Sequence, residues 1–211
     1  MNSNLQRALG SFLKPNDAQK LSLLLEEAVK KGRISYEDVA RLVGDDAEDI
    51  LILAYGWRLL LPARAAHAGD WEDRMLMLRP GEIYQMPNVA KHLVEDAMEA
   101  GSWDPEKAIL EVFQEIREPE AEKLLSLVER MASELKGRRI YGVDIKRLCT
   151  ELGLKDRVDP LVSELKACGI VSHKMASFTD AVREGSPIYE FNPSLLVGDQ
   201  GSGTGGSSTG G

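Results

Sequence analysis

The sequence predicts a mainly α fold with small β-hairpins, an α+β class, in which a helical segment joins two similar modules. Three observations lead to this prediction. Apolar residues recur at helical spacing over most of the chain, one motif occurs twice, and short runs of β-branched and aromatic residues follow glycines. With 211 residues, 43% of them hydrophobic, the chain is long and apolar enough to bury a core in each module.

The helices are predicted from apolar stripes. Apolar residues at i, i+3 and i+4 share one face of a helix, and that face packs against a core. Such stripes predict helices over residues 16–31, 88–100 and 105–117. Pro119 then interrupts the pattern, and a new helix follows whose stripe consists of Leu124, Leu127, Val128, Met131 and Leu135.

A repeated motif predicts two copies of one arrangement. The motif RISYEDVARL, residues 33–42, recurs 106 residues later as RIYGVDIKRL, residues 139–148. In each copy a long helix comes first, then a Lys-Gly-Arg step, a short strand and a second helix. A third helix then ends at a glycine before β-type residues, and one more strand candidate follows. The glycines are Gly56 before WRLLL and Gly169 before IVSHKM, and the last strand candidates are RMLML at 74–78 and IYEF at 188–191.

The third helix of the second copy is the best defined. Val158, Leu161, Val162 and Leu165 lie at i, i+3, i+4 and i+7, so they line one face. Asp156 is predicted to cap the start of this helix, and Pro160 lies in the first turn, where its missing N–H costs little. Gly169 is the residue type that adopts the left-handed conformation at helix ends.

The stretch IYGVDIKRLCTELGLKDRVDPLVSELKACGIVSHK resembles the second helix, turn, third helix and first wing strand of the winged helix-turn-helix superfamily. The resemblance implies tandem winged-helix domains, of which the second copy is the clearer match. We therefore expect a winged-helix-like domain over 1–86, a helical segment over 87–118, a second winged-helix domain over 119–197 and a flexible Gly/Ser-rich tail over 198–211.

The first copy departs from the family pattern in its charge. The start of its third helix carries the carboxylates of Asp45, Asp46, Glu48 and Asp49, at the end that a DNA-reading helix presents to the major groove. Acidic residues in a first helical turn are also ordinary partners of the helix dipole. In either case we expect this copy to be a scaffold, a dimerisation surface or a partner-binding surface.

The charge of the whole chain is −8, which argues against a uniformly basic nucleic-acid coat. The distribution is uneven, with −7 on residues 1–118 and −1 on residues 119–211. Within the second part, residues 136–175 hold nine basic and five acidic side chains. Only this segment has the sign that phosphate favours.

The resemblance makes the third helix and the wing of the second copy the candidate DNA-binding surface. Basic residues there would hold phosphates, whereas Arg157, Ser163 and Lys166 would reach base edges. Because Asp144, Asp156, Asp159 and Glu164 interleave with them, an ordinary mixed surface explains the same pattern. The DNA-binding candidates are Arg138, Arg139, Lys146, Arg147, Lys155, Arg157, Ser163, Lys166, His173 and Lys174.

Other chemistry finds little support in the sequence. It has no phosphate-binding loop, G-x-S-x-G elbow, paired C-x-x-C or H-E-x-x-H, so we expect no enzyme activity and no cofactor. His92, Glu95, Asp96 and Glu99 share one helix face, but a polar face opposite an apolar stripe is what a surface helix requires, and we expect no metal site. Trp71, in GDWED, is predicted to lie in a loop, either covering its own core or contacting a partner.

The cellular setting follows from what the sequence lacks. No apolar run is long enough to span a membrane, and the N-terminal residues do not have the pattern of a secretory signal. Cys149 and Cys168 lie in helical patterns, which is typical of core thiols in a reducing compartment. We therefore expect a cytoplasmic protein without a membrane partner.

Two functions remain open from the sequence. The first is sequence-specific binding of double-stranded DNA in transcription regulation, with the second module reading DNA and the first forming a homodimer or binding a protein. The alternative is a protein-interaction adaptor whose winged-helix modules bind no nucleic acid. A fold that serves both functions does not decide between them.

Overall fold

The computed structural model of the chain describes residues 2–64, 70–71, 74–174 and 185–197. Helices dominate these ranges and two small antiparallel sheets complete them, which confirms the predicted fold class. The helices are α1 (Ser3–Leu9), α2 (Pro15–Lys31), α3 (Tyr36–Val43), α4 (Ala47–Gly56), α5 (Asn88–Ala100), α6 (Pro105–Glu115), α7 (Ala121–Ser133), α8 (Gly142–Glu151) and α9 (Val158–Cys168). The strands are β1 (Arg33–Ser35), β2 (Leu61–Pro62), β3 (Ile83–Gln85), β4 (Arg139–Tyr141), β5 (Val171–Lys174) and β6 (Ile188–Phe191).

The two copies of the motif have the same topology. The first module runs α2-β1-α3-α4-β2-β3 and the second runs α7-β4-α8-α9-β5-β6. Their sheets have the equivalent strand orders β1-β3-β2 and β4-β6-β5. The register is also the same, since Ile34 pairs with Tyr84 in the first sheet and Ile140 pairs with Tyr189 in the second.

Three local predictions in the sequence are wrong. Residues 74–78 form no strand: Leu76 and Leu78 pack against the first core without joining a ladder, and the pairing strand is β3. In WRLLL only Leu61 is in a strand, because residues 57–60 turn out of α4. Asp156 does not cap α9, because it lies in a short 3₁₀ turn, Lys155–Arg157, that leads into the helix.

The helical segment is part of both cores. The apolar side of α5 places Ala90, Val94 and Ala97 in the first core and the neighbouring Val89 and Leu93 in the second. The apolar stripe of α6 packs in the second core with α7, α8 and α9. Residues 88–115 therefore hold the two modules against each other rather than spacing them apart.

Gly169 fixes the direction in which the chain leaves α9, next to the start of α5. Its φ is +80°, in the left-handed region, as predicted for the end of this helix. A Cβ atom at this position would lie 2.5 Å from the Cβ of Pro87, which precedes α5. After this turn Ile170 and Val171 are fully buried. The helix α9 and the strand β5 are thus placed against the central helical segment.

Candidate nucleic-acid interface

The outward face of α9 is the surface that a DNA-reading helix would use. Leu161 and Leu165 are fully buried on the inward face, so Asp159 and Ser163 point away from the core and are exposed. The Ser163 hydroxyl donates to the backbone oxygen of Asp159, 3.1 Å away. The face therefore presents a carboxylate beside a hydroxyl whose proton is already bonded.

Arg157, at the start of α9, is bound by carboxylates from the turn between α6 and α7. Its Nη2 lies 2.7 Å from one Glu118 oxygen, and its Nη1 lies 2.9 Å from the other. The same Nη1 donates to Glu120 at 3.0 Å, and Glu164 lies 3.7 Å from Nη2. The Glu118 side chain is only 3% exposed. Arg157 therefore joins α9 to the preceding turn and is not directed at a free surface.

The charges in this cluster act on one another. Hydrogen bonds from Arg157 lower the pKa of Glu118, and the same bonds raise the pKa of Arg157. Burial raises the pKa of Glu164, and the neighbouring charge of Glu118 adds to that increase. The guanidinium thus compensates a carboxylate that has lost its water, a role that phosphate binding would interrupt.

Two further candidate cations are paired with carboxylates. Arg147 donates to Glu151 at 2.8 Å and also binds Glu134. Lys166, on α9, lies 2.8 Å from Asp70 of the first module. Each positive charge is therefore matched by a negative charge within contact distance.

The remaining candidates differ in what they contact. Arg138 donates to the backbone oxygen of Gly56 in the first module, at 3.4 Å. The ring of His173 packs edge-on against Tyr189, with centroids 5.9 Å apart. Lys174, at the end of β5, is half-buried. Within the described ranges, the exposed candidate cations whose side chains make neither an ion pair nor a hydrogen bond are Arg139, Lys146 and Lys155.

These three unpaired cations lie on different elements. Arg139 is in β4, Lys146 is on α8, and Lys155 is in the turn before α9. Lys146 borders a groove of about 480 Å³ between α8, α9 and β6, where it is accompanied by Asp159 and the paired Lys166. The groove therefore carries charges of both signs.

A contact between the modules was not predicted from the sequence. Both Glu190 oxygens in β6 lie 3.1 Å from Nη2 of Arg58, which follows α4. The Arg58 guanidinium also lies over the rings of Tyr55 and Trp71. These two charged residues are 132 positions apart, so no local pattern in the sequence connects them.

Trp71 lies at the same junction. It is buried, and its backbone N–H donates to the Ser172 hydroxyl of β5 at 2.9 Å. The predicted loop tryptophan therefore lies between the modules.

The polar face of α5 has a structural role. His92 lies 3.3 Å from Glu111 and 3.0 Å from Glu115, both on α6, so it joins two packed helices. In the ranges that the structure covers, no group of three or more His, Cys, Asp or Glu side chains is placed to hold a metal ion. Cys149 and Cys168 are free and buried, and burial raises the pKa of Cys168 to about 12.

Comparison with known proteins adds one assignment. None of the helices described is both long and apolar enough to cross a membrane. The chain has no significant match to a curated protein or to a solved structure. A protein-family model matches residues 3–200. Because this match covers nearly the whole chain, the protein belongs to that family, whose function is unknown.

Proposed function

We propose that this protein is a non-enzymatic protein-interaction adaptor made of two joined winged-helix-like modules. The main observation in support is the ion-pair cluster at the start of α9, where Glu118, Glu120 and Glu164 surround Arg157. Arg157, which the sequence assigns to base contacts, thereby stabilises the fold instead.

Affinity for DNA depends on cations that replace the counterions of phosphates. In the second module Arg147, Arg157 and Lys166 are matched by carboxylates, so a phosphate would have to displace an existing partner. The outward face of α9 adds the exposed carboxylate of Asp159. These charges disfavour a duplex, and they are ordinary for a surface that binds proteins.

The first module has the same character. At its third helix Asp45, Glu48 and Asp49 are exposed, and Asp46 is paired with Lys20 at 2.5 Å. Ile52 of α4 is 51% exposed, so an apolar side chain lies among these carboxylates. This surface suits a protein partner or a second copy of the chain better than a phosphate backbone.

The junction supports the adaptor in a second way. The contacts of Arg58 with Glu190, Lys166 with Asp70 and Trp71 with Ser172 tie the modules to each other. A fixed arrangement presents two surfaces in a constant relative position, which lowers the entropy lost when a partner binds both.

Transcription regulation through duplex DNA is the second candidate. It is favoured by the exposed and unpaired side chains of Arg139, Lys146 and Lys155 on the module that resembles the DNA-binding family. A cytoplasmic location is compatible with either function.

A titration of labelled duplex DNA separates the two functions. We expect no measurable binding by fluorescence anisotropy, even at about 50 mM salt, where phosphate attraction is strong. The matched variant is Lys146→Ala with Lys155→Ala. Binding of the wild type that weakens with salt, with a salt slope about 2 smaller in the double variant, would establish the DNA-binding candidate and reject the adaptor.

A further inference from the structure

A second groove borders the helical segment, and we call it the α6–α7 groove. It has a volume of about 500 Å³ and lies between the α5–α6 loop, α6, α7 and the turn that follows β6. Its apolar lining includes Trp103, Ile109, Val128, Ala132, Phe191 and Leu195.

The floor of the α6–α7 groove is preformed. Ile109, Val128 and Phe191 are nearly fully buried in the second core and form the base of the groove, and the partly exposed side chains of Trp103, Ala132 and Leu196 supply apolar surface above them. Trp103 is fixed in its wall, because its indole N–H donates to the backbone oxygen of Ser194 at 2.9 Å and its ring packs on Phe12. A ligand would therefore meet apolar surface that does not need to reorganise.

The rim of the groove is acidic. Asp104, Glu106 and Glu129 line it, and no Lys or Arg is among its lining residues. Asp104 also caps α6 by accepting a hydrogen bond from the backbone N–H of Lys107. Glu106 and Glu129 are exposed and have no ion-pair partner within the described part of the chain. An apolar floor with an uncompensated acidic rim is complementary to a basic amphipathic ligand.

We propose that the α6–α7 groove binds a basic amphipathic segment of a partner protein, with apolar side chains on the floor and Lys or Arg beside the carboxylates. The proposal rests on the adaptor function and assigns it a binding site. Helix-in-groove recognition uses this combination of apolar anchors and flanking charge.

Other occupants fit the groove less well. Residues 198–211 follow the groove in the sequence, but they contain no apolar side chain to fill it and no basic residue for its rim. Nucleic acid would be repelled by the three rim carboxylates. A second copy of this chain carries a net charge of −8, so its attraction to an acidic rim would have to come from a local basic patch.

A synthetic peptide of leucine and lysine at helical spacing, labelled with fluorescein, is a suitable probe. We expect Glu106→Gln with Glu129→Gln to weaken its binding to the full chain about three- to tenfold, because two exposed charge pairs are lost. The control is Glu99→Gln with Glu122→Gln, which removes the same charge at exposed sites outside the groove. This control should leave binding within about twofold of the wild type.

A second readout places the probe in the groove. Peptide binding should shift the tryptophan emission of the wild type, and Trp103→Phe should remove most of that shift while Trp57 and Trp71 remain. Three results would overturn the groove assignment. They are equal loss of peptide affinity in the Glu106/Glu129 variant and the Glu99/Glu122 control, tryptophan emission that the peptide does not change, and no binding of the peptide. The adaptor function would survive that result if protein adducts still formed at other surfaces in cells.

Discussion

Replacing Leu165 with Ala will destabilise the protein by about 2–5 kcal/mol, because truncation of a buried leucine loses apolar contacts and leaves a cavity. Leu165 is fully buried in the second core, on the inward face of α9. Its backbone oxygen also accepts the hydrogen bond from Ile170 that closes the helix. Urea denaturation followed by circular dichroism measures the loss.

The control for this substitution lies on the same helix. Ser163→Ala changes an exposed side chain on the opposite face, so we expect a change within about 0.5 kcal/mol. A loss below about 1 kcal/mol for Leu165→Ala would contradict its place in the core.

Replacing Arg157 with Ala will cost about 3 kcal/mol at neutral pH, because the buried carboxylate of Glu118 loses its cation. This loss of stability is at the low end of the range for breaking a buried ion pair, because the Arg157 side chain is 31% exposed. The matched control is Arg139→Ala, which removes an exposed cation with no ion pair and should change stability by less than about 0.5 kcal/mol.

The effect of Arg157→Ala should depend on pH. Arg157 lowers the native pKa of Glu118, so this stabilisation is present above the unfolded pKa of about 4.3 and is lost as the pH falls through the native value. Arg157 also opposes the rise in the pKa of Glu164 that burial causes. Urea denaturation at neutral pH and below about pH 4 should therefore show a smaller difference between wild type and variant in acid. An equal difference at both pH values would contradict the charge compensation.

The helices could be predicted from the sequence because their signal is local. The apolar stripes predicted helices over 16–31 and 88–100, and the structure has them at Pro15–Lys31 and Asn88–Ala100. The motif repeat predicted that two modules share a topology, since similar residues at matching positions favour the same turns and helices. The predicted strand at 74–78 was wrong because a short apolar run can form a strand or merely pack on the core. The pairing with β1, which no local pattern shows, makes Ile83–Gln85 the strand instead.

Whether the cations of the candidate site are paired depends on contacts between residues that are distant in the sequence. Arg157 and Glu118 are 39 positions apart, and the intervening residues contain the whole of α7, β4 and α8. A list of basic residues around α9 therefore shows which side chains are near, but not which carboxylates the fold brings to them. For the same reason the acidic rim of the α6–α7 groove could not be predicted, because Glu106 of α6 and Glu129 of α7 meet there and belong to no common sequence motif.

Photo-crosslinking in cells tests most directly whether these surfaces meet protein or nucleic acid. Benzoylphenylalanine would replace Ser163 on the outward face of α9 and, in a second variant, the exposed Ser102 beside the α6–α7 groove. Adducts are then classified by their sensitivity to protease or nuclease. For an adaptor we expect no nucleic-acid adduct at Ser163, and the α6–α7 groove assignment adds protein adducts at Ser102. A nucleic-acid adduct at Ser163 would contradict the adaptor function.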